Sequence, residues 1–158
     1  MPCAMQHTTR RTFGPAIVMA LLLVGCSGQP PESPMPRPDH FSPCPSAPHC
    51  VSSQAPADSD RHIAPFVFDE DGASAHRALL DVLAEADRVE ILSDKPQFVH
   101  ATFRTRMGFV DDVYFIIHAD RRIVDVKSAS RVGYYDFGVN RRRVERLRAA
   151  FEARMGRH

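Results

Sequence analysis

The sequence predicts an α+β fold, a two-layer sandwich with an antiparallel sheet of three to five strands covered by two helices. Three observations predict it. Apolar residues recur at helical spacing between Ser74 and Asp87. Alternating apolar segments joined by short turns fill the stretch from Val89 to Lys127. A second helical stripe closes the chain between Asn140 and Met155. Strands that follow one another through short turns pair antiparallel, and amphipathic helices on either side of such a run bury their apolar stripes against it.

The first element is a leader, residues 1–25. Arg10 and Arg11 form a basic start with no acid near it, and the apolar run Ala16–Val24 follows. That run is shorter than the roughly 20 apolar residues a membrane-spanning helix needs. Leu23-Val24-Gly25-Cys26 resembles a bacterial lipobox, which makes Cys26 the lipidated N-terminus of the exported protein. Ser27 after it, by resemblance to enteric lipoproteins, points to the periplasmic face of the outer membrane. The plainer alternative is a secretory leader that happens to hold a cysteine. Thr9-Arg10-Arg11-Thr12-Phe13 also resembles a twin-arginine signal. Of the 20 basic residues, Arg10 and Arg11 leave with the leader, so 18 face 19 acids. That near-neutral balance supplies no field to gather nucleic acid. The remaining length suits one domain.

Residues 26–43 form a tether. Six prolines between Pro30 and Pro43 favour extended polyproline conformations and leave little to pack. The domain runs over 44–158 and opens with Cys44 and Cys50. Export places them in an oxidising compartment, where a disulfide is the default. A metal site using both thiolates with His40, His49 or His62 is the alternative, but structural zinc sites use tighter ligand spacing. No cofactor or metal is expected.

Residues 51–72 read as irregular, with Ile63, Phe66, Val67 and Phe68 plugging the core. The first helix is placed at Ala75–Asp87 with Ser74 as N-cap. Strands follow at Val89–Leu92, Phe98–Arg106, Phe109–His118 and Arg122–Lys127, the last three joined by the turns Arg106-Met107-Gly108 and Ala119-Asp120-Arg121. Val144, Leu147, Phe151 and Met155 are the apolar stripe of the final helix.

The chemistry concentrates between Gly108 and Arg143. Asp111 and Asp112 interrupt an apolar strand and, as neighbours, must face opposite sides. Asp111 shares its side with Phe109 and Val113. A carboxylate there costs several kcal/mol unless compensated, and Arg131, Arg141 and Arg143 are the candidate partners. Ser128-Ala129-Ser130-Arg131-Val132-Gly133 leaves the last strand, and Asn140, or Asp136 if the helix begins earlier, can cap the next helix. Free N–H groups there, beside Ser128, Ser130 and Arg131, suit a carboxylate or phosphate. The plainer reading is a turn whose polar groups satisfy one another. A hydrolase using Ser128 or Ser130 is a further alternative, but His100 and His118 sit on strands and no Gly-x-Ser-x-Gly elbow is present.

Three motifs carry a resemblance: Cys-Pro-x-x-Pro-x-Cys-Val-Ser-Ser-Gln at 44–54, Gly-Phe-Val-Asp-Asp-Val at 108–113, and Ser-Ala-Ser-Arg-Val-Gly followed by Asp-Phe-Gly-Val-Asn-Arg-Arg-Arg at 128–143. Together they resemble the domain-of-unknown-function family number fourteen ninety-nine, found in bacterial lipoproteins, secreted proteins and plastid proteins. The resemblance spans Pro43–Arg154. His49 stands where the family commonly has Asn, and Lys127 where it often has Arg. The family implies no established activity.

The expected function is therefore a lipid-anchored, non-enzymatic binding or scaffolding module of the cell envelope. Its polar site comprises Asp111, Asp112, Ser128, Ser130, Arg131, Asp136, Asn140 and Arg141. Its partners are the membrane, through the anchor, and a small anionic ligand or an envelope protein. A purely structural lipoprotein and a hydrolase-like enzyme are the alternatives. Replacing Cys26→Ser is expected to move the protein from the membrane to the soluble periplasmic fraction. Retention of the variant in membranes would place the anchor elsewhere.

Overall fold

The computed structural model describes residues 39–156; the expected leader, Cys26 and most of the expected tether lie outside that range. The described residues form an α+β fold of two helices and one open antiparallel sheet. The elements are β1 (Cys50–Ser52), β2 (Phe66–Val67), α1 (Gly72–Ala84), β3 (Val89–Lys95), β4 (Phe98–Arg104), β5 (Val110–His118), β6 (Ile123–Ser130) and α2 (Val139–Met155). The sheet order is β1-β6-β5-β4-β3, and β2 also pairs with β6. Strand β6 therefore has β5 along one side, while β1 and β2 share the other. β1 aligns Cys50 with Ala129, and β2 aligns Phe66 with Val124.

The sheet has six strands, against an expectation of three to five. Both extra strands come from the region read as irregular. They are three and two residues long, too short to show a period of two, and their partner is more than 50 residues away in sequence. Other boundaries also move. Helix α1 begins at Gly72, because Asp71 takes the N-cap: its carboxylate accepts from the Ser74 backbone N–H at 2.8 Å. Ser74 instead sits in the first turn and donates its hydroxyl back to Asp71. A Cβ on Gly72 would lie 2.9 Å from the Ala119 Cβ, so the helix start needs glycine to approach the β5–β6 turn. Strand β3 runs on to Lys95 through a register shift between Ile91 and Ser93. Phe109, expected on the core side, precedes β5 and is partly exposed.

β5 is buried along its whole length up to Ile117. One face carries Val113, Phe115 and Ile117, which join residues of β4 and β6 and the inward stripes of both helices in the main core. Phe66 and Phe68 close it against Phe151, with ring centroids 5.6 and 6.4 Å away. Full burial of one such side chain contributes about 1.5–3 kcal/mol. The opposite face carries Tyr114 and Ile116, which pack with Phe41 and Phe98 in a second cluster. Residues 39–42 are held there by polar bonds as well. The Lys127 ammonium donates to the Ser42 carbonyl at 2.7 Å, and Gln54 bonds both the Phe41 N–H and the Asp39 carbonyl.

Cys44 and Cys50 form a disulfide that ties this segment to β1. Its loop is short, with a sequence separation of 6, so the constraint on the unfolded chain contributes about 2 kcal/mol. Replacing both cysteines by alanine is expected to lower the denaturation free energy by about that amount. Equal denaturant midpoints for the oxidised protein and the double variant would show that the bridge contributes nothing.

Candidate functional site

The two adjacent aspartates organise two separate networks, one on each face of the sheet. On the core face, Asp111 aligns with Ser130 of β6 and is hydrogen-bonded to the Arg143 guanidinium, which α2 brings in from above. Arg143 also donates to the Asn140 side-chain oxygen at 2.8 Å and lies 4.9 Å from the Phe103 ring centroid. Asn140 is fully buried and uses both ends of its amide. Its oxygen accepts from the Ser128 hydroxyl at 2.5 Å. Its nitrogen donates to Asp136, to the Ser130 hydroxyl and to the His49 carbonyl, at 2.9 to 3.0 Å. Burial pulls the Arg143 pKa below its ordinary value, and Asp111 opposes that shift.

Helix α2 begins after Gly138, which adopts the left-handed φ of 72°. Asp136, the second of the two capping candidates, receives the free N–H groups. Its carboxylate accepts from Gly138 and Asn140 backbone N–H at 2.9 and 2.8 Å. Burial raises its pKa, but those bonds outweigh burial and the net shift is downward. The helix N-terminus is thus occupied by a side chain of its own chain. Arg141 leaves this cluster and donates to the Asp60 and His62 carbonyls, pinning the β1–β2 connection.

On the other face, Asp112 takes a two-pronged contact from Arg131, at 2.8 and 2.9 Å, and a third from His100 at 2.8 Å. His100 stacks on Tyr114 with centroids 4.3 Å apart. Burial raises the Asp112 pKa, but hydrogen bonds from Arg131 and His100 win and hold it below the ordinary carboxylate value. The stabilisation from ionised Asp112 is therefore present above the unfolded-state carboxylate pKa and is lost as pH falls through the depressed folded value. His118 and Ser53 meet Asp125 further along the same face, at 3.1 and 2.7 Å.

The expected site residues thus divide. Asp111, Ser128, Ser130, Asp136 and Asn140 converge; Asp112 and Arg131 pair on the far side; Arg141 serves a loop. The hydroxyls of Ser128 and Ser130 bond to Asn140 and Arg143, and neither has a histidine ring as a hydrogen-bond partner. Among the described residues, no group of three or more His, Cys, Asp or Glu is placed to hold a metal ion.

Beside the core-face cluster lies a cavity of about 240 Å³ whose lining includes Asp111, Ser130 and Asp136. Its walls are apolar. Met107 and Phe109 come from the β4–β5 turn, and Tyr135 and Phe137 from the β6–α2 loop. Met107 is 81% exposed and Phe137 77%. Tyr135 and Phe137 meet edge to face, 5.1 Å apart. Phe137 has a φ of 53°, a region that is costly for a residue with a Cβ. The sequence reading missed this rim, because isolated aromatics in loops carry no periodicity. The combination of two glycines with three aromatics in 133–138 was the available signal.

The Asp111–Arg143 pair joins β5 to α2 and supplies the compensation that a carboxylate among apolar neighbours requires. Truncating either partner is expected to cost about 3–5 kcal/mol, because the other charge stays buried. A double-mutant cycle with Asp111→Ala and Arg143→Ala, read by denaturant midpoint, should show strong coupling. Additive costs would mean that the two do not interact.

The chain matches the family model described as "Protein of unknown function (DUF1499)" over residues 40–151. No curated protein and no solved structure matches it. The matched span covers β1 through most of α2 and contains both aspartate networks and the aromatic rim, and on that match the chain belongs to the DUF1499 family.

Proposed function

We propose that this protein is a lipid-anchored, non-enzymatic binding module of the bacterial cell envelope, and that an envelope protein docks on its aromatic rim. The observation that carries the reading is the exposed set Met107, Phe109, Tyr135 and Phe137 around one apolar cavity. Soluble surfaces seldom gather several large apolar side chains in one place unless something covers them. Tyr, Phe and Met are the residue types that protein interfaces concentrate.

The cavity's size favours a polypeptide over a small molecule. At about 240 Å³ it falls below the roughly 300–1,000 Å³ of ordinary ligand pockets, and it suits one apolar side chain. The rim residues stand outward and need a partner surface to bury them. The polar groups beneath are engaged: Asp111 by Arg143, and Asp136 by Gly138 and Asn140. A network already satisfied in this way holds the rim in position and leaves no cation for a small anion at this place. The strained Phe137 backbone supports the same reading, since strain of about 1–3 kcal/mol tends to persist where function needs it.

Placing a photo-crosslinking residue at position 137 in intact cells should give one discrete protein adduct, and placing it at the exposed Asp81 should not. Tyr135→Ser with Met107→Ser should abolish the adduct. Replacing Phe137→Asn, which tolerates the left-handed region, should leave thermal stability equal or higher, while the adduct from a photo-crosslinking residue placed at position 135 is lost. The same adduct pattern from positions 81 and 137 would overturn the docking surface.

A further inference from the structure

The largest cavity among those described, about 530 Å³, adjoins the aromatic-rim cavity at Thr105 and Val139 and lies between the end of α1, the end of β4 and the first half of α2. Its lining is chemically two-sided. Val82, Phe103 and Leu147, all buried, contribute an apolar floor, and Arg88, Arg104, Arg106, Arg143 and Arg146 contribute five guanidinium groups. The acids present are Glu85 and Asp87, and Glu85 is ion-paired with Arg154.

The arginines differ in what they already hold. Arg143 is committed to Asp111 and Asn140. Arg88 donates to the Arg104 carbonyl at 2.9 Å, and Arg104 to the Gly108 carbonyl at 3.3 Å. The side chains of Arg106 and Arg146 have no hydrogen bond or ion pair among the described residues. Arg88 has a φ of 54°, an unusual conformation for a residue with a Cβ. The Arg146 charge also works against that of Arg143. Like charges gathered over an apolar floor are unfavourable unless an anion joins them, and Arg is the side chain best shaped to grip a carboxylate or phosphate.

We infer that this groove is a binding site for an anionic amphiphile, a phosphate or carboxylate head held by Arg106 and Arg146 with its apolar chain on Val82, Phe103 and Leu147. The site shares Thr105 and Val139 with the lining of the aromatic-rim cavity, but its proposed contacts use neither of them nor any of the four rim side chains, so the two readings are tested by different variants. The same head-and-chain chemistry belongs to an anionic phospholipid in a bilayer and to a free acyl phosphate or fatty acid.

The test uses the full chain carrying Cys26→Ser, so that no acyl anchor contributes, and titrates it calorimetrically with dodecyl phosphate below its micelle concentration. Binding is expected, with Arg106→Ala and Arg146→Ala together weakening it about tenfold or more at an unchanged melting temperature. Lysine at both positions should restore part of it. Flotation on phosphatidylglycerol vesicles that fails for the double alanine variant would assign the head to a membrane lipid. Flotation independent of both arginines, beside an arginine-dependent titration, would assign it to a soluble amphiphile. No binding of dodecyl phosphate, equal affinity for inorganic phosphate, or equal affinity in the double alanine variant would overturn the inference.

Discussion

The buried contact between Asp111 and Arg143 is the constraint on which the rest of the structure turns. A carboxylate in the middle of the most buried strand cannot stand alone, because its desolvation costs several kcal/mol. The cation that answers it comes from α2, 32 residues later. That requirement docks the first turns of α2 over the ends of β5 and β6. Once Arg143 is there, Asn140 must be buried one turn earlier, and its amide collects Ser128, Ser130, Asp136 and the His49 carbonyl. The loop before α2 then has little freedom, and it takes left-handed backbone at Phe137 and Gly138.

The opposite face solves the same problem with different means. Asp112 is also inside the protein, but its partners come from the sheet and its edge: His100 from β4, and Arg131 from the residue that follows β6. No helix is needed there. What closes this face is the segment beginning at Asp39, packed through Phe41 and fastened by Gln54, Lys127 and the Cys44–Cys50 bridge. Lys127, with its pKa lowered by burial, donates to a neutral carbonyl. The disulfide therefore contributes more than a local turn, since it holds one end of a segment that shields Tyr114 and Ile116 from water.

Legibility in the sequence followed periodicity. Both helices and the four longer strands were readable, because each repeats its apolar residues often enough to reveal a period. β1 and β2 were not, being short and paired across long sequence separations. The N-cap of α1 lies three residues before the expected Ser74, because Asp71 and Ser74 are both good caps and it is Asp71 that accepts from the Ser74 N–H. At the candidate site, the need to compensate Asp111 was legible from its apolar neighbours, and Arg143 was among the named partners. Strand alternation separates Asp112 and Arg131 from that cluster, so the eight expected site residues form no single site. The aromatic rim was invisible because its residues lie on two loops that only the fold brings together.

This difference bears on how the motifs of the chain are read. The residues that make the sequence distinctive, Asp111, Ser128, Asn140 and Arg143, spend their hydrogen bonds on one another. A polar cluster so fully satisfied rigidifies what surrounds it and has little capacity left for a ligand. Its neighbours show the opposite condition. Met107, Tyr135 and Phe137 are exposed beyond what stability needs, and Arg106 and Arg146 hold their charges beside an apolar floor. Unmet chemistry is the better guide to binding, because only groups with something to gain change their free energy when a partner arrives. On that argument the distinctive motif is the frame, and the surfaces it positions are the ones proposed for recognition.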